Sequence, residues 1–180
     1  MKNHSIIMTI AILMLASFGE GLFAQNSPTL SVQKEAIAKL ASLMVGEWSG
    51  SGWNKKGQGE PEPVNVKESI ELKNDGVTIL VQGLGTHPET NNMVHDALAV
   101  IYYDAESSTY QFDSHLSTGL HKIATGKLDG SVFTWGFDLP NNASIRYTIT
   151  ISGSKWNEVG EYSPAKDIWY KFFEMNLNKL

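Results

Sequence analysis

Val64-Asn65-Val66-Lys67-Glu68-Ser69-Ile70-Glu71-Leu72, followed by Lys73-Asn74-Asp75-Gly76 and the run Val77 to Gly85, decide the fold. Val64, Val66, Ile70 and Leu72 alternate with Asn65, Lys67, Ser69 and Glu71. Side chains along a strand point to opposite faces in turn, so this period of two predicts a strand with one apolar face. Asp-Gly between two such runs is a hairpin signal, because both residues accept the left-handed conformation a tight turn needs.

The same grammar continues downstream. Met93 to Tyr103 is broken by Asp104–Ser107, and Thr109 to Leu116 by Ser117-Thr118-Gly119. Leu120 to Leu128 meets a second Asp-Gly at Asp129-Gly130, and Val132 to Phe137 follows. Pro140-Asn141-Asn142 leads to Ile145–Ile151, Gly153-Ser154 to Trp156–Tyr162, and Ile168–Leu177 comes last. With Glu47–Trp53 upstream, the count is about ten strands joined by short loops. Short loops make sequential strands antiparallel neighbours, and a long twisted meander removes its exposed edges by closing. The predicted fold is therefore all-β: an antiparallel up-and-down barrel. Val94, Leu98 and Val100 oppose Ala97, Ala99 and Ile101, so one strand is apolar on both faces. That suits a wall covered outside by a helix or partner, or a wall around an apolar lumen.

Before the barrel, Ile37, Leu40, Ala41 and Met44 fall at helical spacing. They predict a short helix over 32–44, capped by Ser31 and ended by Gly46. Residues 25–30 are polar with a proline and read as a flexible lead. Residues 1–24 carry Lys2, the apolar run Ile6–Phe18 and a small residue, Ala24, before Gln25. This order predicts a secretory signal peptide. The apolar run is shorter than the roughly 20 residues a membrane helix needs. The expected mature product is residues 25–180, with one soluble domain over 31–180, in the periplasm or outside the cell.

Composition narrows the chemistry. The net charge is −5, which argues against nucleic acid or anionic lipid as partners. There is no cysteine, which excludes disulfides, thiolate metal sites, cysteine nucleophiles and a lipidated cysteine. Neither Gly-x-Ser-x-Gly nor His-Glu-x-x-His occurs. Gly83-Leu84-Gly85 has no helix after it, so it is no dinucleotide loop.

Gly46-Glu47-Trp48-Ser49-Gly50-Ser51-Gly52, just after the helix, resembles the Gly-x-Trp opening of the calycin superfamily. The longer Gly-x-Trp-x-Gly-x-Gly form is similar to nitrobindin-like barrels and to a secreted lipocalin-like bacterial family of unknown function. Trp156–Tyr162 and the closing run with Trp169, Phe172 and Phe173 fit the latter better. The resemblance implies Trp48 at one end of the barrel, with a late-strand arginine stacked on it. Arg146 is the only arginine, so a Trp48–Arg146 stack is expected. Nitrobindin-like barrels hold haem through a histidine near the chain end. No histidine follows His121, so haem is not carried over and no cofactor is expected.

The candidate ligand-lining residues are Phe133, Trp135, Tyr147, Trp169, Phe173, His95 and His115. These groups either fill the barrel as core or line a pocket of the kind found at barrel mouths. His115, His121 and Asp113 flank one hairpin and could face each other; an exposed rim pair without metal is the expectation. Glu158 and Glu161 are expected on the outer or rim face. The function expected from all this is a non-catalytic binder of a small apolar or amphiphilic molecule. The alternatives are a ligand-free interaction or envelope module and, third, a haem binder or enzyme. Self-association is left open.

Overall fold

In the computed structural model the described residues are 28–165 and 168–180, and they form one barrel with one helix. The signal-peptide reading falls outside them. The helix is α1 (Pro28–Met44). The strands are β1 (Gly46–Asn54), β2 (Glu62–Lys73), β3 (Thr78–Thr86), β4 (Met93–Asp104) and β5 (Thr109–Leu116). Then come β6 (His121–Asp129), β7 (Val132–Asp138), β8 (Ser144–Ser152), β9 (Lys155–Ala165) and β10 (Ile168–Lys179). Each strand pairs antiparallel with its neighbours in sequence, and β1 pairs with β10 to close the barrel. The strand count and closure agree with the sequence.

The turns work as their residues predict. Asn74, Asp75 and Gly76 all have positive φ (50°, 54° and 86°), a conformation open mainly to Asn, Asp and Gly. Helix α1 starts earlier than expected. It runs from Pro28, so Ser31 lies inside the helix and is not its cap.

The helix seals one end of the barrel. Ile37, Leu40, Ala41 and Met44 are buried against Trp48, Ile70, Ile79 and Ile101, which face inward. Tyr110 Oη donates to the Ala36 carbonyl (2.8 Å), and Trp48 Nε1 donates to the Met44 carbonyl (2.8 Å). The helix does not cover the outer face of β4. Val94, Leu98 and Tyr102 stay exposed there among the described residues, with Leu84 on neighbouring β3 and Ile123 two strands away on β6. The loops at the other end are 55–61, 87–92, 117–120 and 139–143.

The glycines of the Gly-x-Trp-x-Gly-x-Gly stretch have a steric purpose. A Cβ on Gly50 would lie 2.0 Å from the Asn176 carbonyl oxygen, and one on Gly52 2.3 Å from that of Glu174. Strand β1 can therefore approach β10 closely only because side chains are missing at the seam.

Candidate functional site

Alternation fixes what each strand points into the lumen. Ile145, Tyr147 and Ile149 on β8 lie opposite Phe137, Trp135 and Phe133 on β7, and opposite Tyr162, Gly160 and Glu158 on β9. Phe112, Trp135 and Tyr147 form a continuous stack across β5, β7 and β8. Their ring centroids are 4.2 Å apart in each step, with interplanar angles of 4° and 11°. Phe172 and Phe173 meet Tyr147 edge-on at 5.7 and 6.0 Å, beside an irregularity in the β9–β10 register.

Near the helix, the inward-facing residues Trp48, Phe133, Ile149 and Trp156 are fully packed. Toward the loop end, Trp135, Phe137, Ile145, Tyr147 and Phe173 face inward yet stay partly open to water. The lumen is thus solid on the helix side and less tightly closed to water on the loop side. His95 faces inward at the mouth opposite Gly85. It is open to water but crowded by the walls, and this crowding lowers its pKa.

Two carboxyl groups are buried inside the barrel. Glu158 is buried, and burial raises its pKa to about 7. The indole N–H groups of Trp135 and Trp156 are buried without a partner at normal hydrogen-bond geometry. They nevertheless lie close enough to Glu158 to draw its pKa part of the way back down. Glu68 is also buried, lies against Gly83 and has its pKa raised well above normal, first by burial and then by Glu158. Tyr147 is pushed up too, by burial and by the Glu158 charge. The interior therefore offers indole donors, a Glu158 carboxyl whose pKa is pushed up to about 7, and a Glu68 carboxyl held well above the usual carboxylate range by burial and by Glu158.

Several expected placements need correction. Glu158 points inward, because it lies two residues from Trp156 and shares its face; only Glu161, one residue out of step, points outward. Glu68 points inward as well, because it shares the apolar face of Val66 and Ile70. Among the lining candidates, Phe133, Trp135, Tyr147, Phe173 and His95 do face the lumen. Trp169 and His115 do not.

Arg146 does not stack on Trp48. It lies on the outer face near the loop end, 4.0 Å above the Trp169 ring, and donates to Glu161 Oε2 (2.7 Å). Trp48 is at the helix end, edge-on to Trp156 at 5.4 Å, with Lys179 Nζ 5.2 Å from its ring. An open outer groove of about 650 Å³ runs beside Arg146 over Thr134 and Gly136 of β7. On the outer face of β5 and β6, His115 and His121 stack at 4.4 Å with Asp113 beside them.

No family model and no curated protein matches the chain. Among solved structures it is similar to Rv2717c from M. tuberculosis, with a TM-score of 0.62 over 86% of this chain and 98% of that one. Identity is 12%, so the likeness is one of fold, and the ten-stranded antiparallel barrel is compatible with a calycin-like architecture.

Proposed function

We propose that this chain is an exported, non-catalytic, lipocalin-like barrel that takes a small amphiphilic molecule into its lumen through the loop end. The observation that carries the reading is the partly exposed aromatic wall of Trp135, Tyr147 and Phe173 above the buried Glu158. A filled core would leave such inward-facing rings without water. Stacked rings suit an apolar body, and pockets of this kind place a few polar groups where they fix orientation. Here those groups are Glu158, Glu68 and the indole N–H groups of Trp135 and Trp156 beside Glu158. They favour a ligand whose inner end donates to a carboxylate, an amine or a hydroxyl.

Native mass spectrometry of protein purified from its own host is the direct test. A small molecule retained by the wild-type chain and lost in Trp135→Ala is the expected result. Repeated absence of any co-purifying molecule, with no change in tryptophan emission on adding long-chain amines or alcohols, would sink the proposal. The exposed stripe of Val94, Leu98 and Tyr102 on β4 favours a second reading, a protein-interaction module. That reading expects a protein partner or a second copy in the same spectra, and an empty lumen.

A further inference from the structure

The outer face of the β5–β6 hairpin carries a group that the lumen does not use. His115 and His121 are directly opposite in the strand register, the last pair before the turn. Asp113 lies two residues before His115 and so shares its face. The turn is pinned by backbone bonds from Leu116 N to Leu120 O (2.9 Å), Gly119 N to Leu116 O (2.9 Å) and Ser117 N to Asp96 O (2.9 Å). The two imidazoles are therefore held by the backbone, nearly parallel at 16°.

Both Nε2 atoms converge on one carboxylate oxygen. Asp113 Oδ1 is 2.6 Å from His121 Nε2 and 3.3 Å from His115 Nε2. One ligand atom from each of the three residues lies within 4.8 Å of the others. In a tetrahedral site with bonds of 2.0–2.1 Å, neighbouring ligand atoms are roughly 3.3 Å apart. The His115 edge already has that length, and the His121 edge needs a small opening.

We propose that Asp113, His115 and His121 bind a divalent transition-metal ion, zinc in the first instance. Two imidazoles and one carboxylate are a ligand set that suits Zn²⁺ and, more tightly, Cu²⁺, whereas Mg²⁺ and Ca²⁺ call for oxygen ligands. The histidine side chains are about half exposed, so water completes the coordination. The bound ion ties β5 to β6 beside the mouth of the lumen. The site stands or falls independently of what the lumen holds.

The test uses tag-free barrel protein stripped with a chelator, titrated with Zn²⁺ by calorimetry and with Co²⁺ by visible absorption. The expected result is one saturable equivalent, a Co²⁺ band of tetrahedral intensity and a higher Tm with zinc. His115→Ala, His121→Ala and Asp113→Asn should each weaken binding at least tenfold. His95→Ala and His87→Ala should leave it unchanged. All these positions are solvent-exposed or partly so, and circular dichroism confirms that each variant is folded. Zinc affinity unchanged in the His115→Ala/His121→Ala double variant overturns the proposal. So does the lack of saturable binding by the wild-type chain at millimolar Zn²⁺.

Discussion

Glu158 sets the acid–base behaviour of the interior. Its pKa is about 7 in the fold against 4.5 for a free carboxyl, so the folded chain binds that proton more tightly than the unfolded chain. The associated stability is full below about pH 4.5 and is lost as pH rises toward 7. Glu68 acts in the same direction. Glu174 and Asp104, whose pKa values are lowered, act oppositely, but they lie at the surface and count for less. Glu158→Gln should therefore raise stability at pH 8 by up to about 3 kcal/mol and leave it nearly unchanged at pH 4.5. Urea titrations at the two pH values check this. Arg146→Ala removes a half-exposed stack and ion pair, and should cost about 1 kcal/mol while shifting Trp169 emission to longer wavelength. Some of these roles were legible in the sequence. The parity of Glu158 with Trp156, and of Glu68 with Val66, is the signal for an inward carboxyl; the charge of Glu158, which suggests an outer or rim position, misleads. The partner of Arg146 was not legible, because the register that sets Arg146 beside Glu161 decides which end of the barrel it occupies.

Helix α1 and strand β1 act together as a stopper. Leu40 is fully buried, and truncating such a leucine leaves a hole that its neighbours only partly fill. Leu40→Ala should cost about 2–5 kcal/mol, read from denaturant midpoints. On β1 the seam with β10 is the sensitive place. Gly50→Ala puts a methyl group against backbone that cannot swing aside, and should cost about 3 kcal/mol or more. Gly57→Ala, with open space at its Cβ but φ of +59°, is the comparison that separates turn strain from seam clash. Strand existence and order were legible because each run is periodic and each turn carries Gly, Asn or Asp. The helix start was less so: Ser31 and Pro28 are both plausible openings, and local sequence does not choose between them.

At the scale of the molecule, closure was legible and filling was not. Ten short-looped strands have few alternatives to a barrel. Whether aromatic residues fill it or line it depends on how far the wall tilts and where the helix stops, and no local pattern encodes either. The answer is graded along the axis: packed beside Trp48, open beside Tyr147. A deletion that begins the chain at Val45 removes the stopper and opens both ends. It should bind hydrophobic dye strongly, whereas the intact barrel should bind it weakly; fluorescence of the two side by side decides.

The seam between the first and last strands also sets the mechanics of the molecule. Strand β1 begins where β10 ends, with Trp48 paired to Lys179 and the Leu180 amide bonded to the Glu47 carbonyl. A load applied across these neighbouring points runs along the ladder's hydrogen bonds, which lie perpendicular to the strands, and reaches them one at a time. The barrel should unzip at low force when pulled between residues 46 and 180. Pulled between 46 and the far end of β10, the same bonds share the load in shear and should hold to a much higher force.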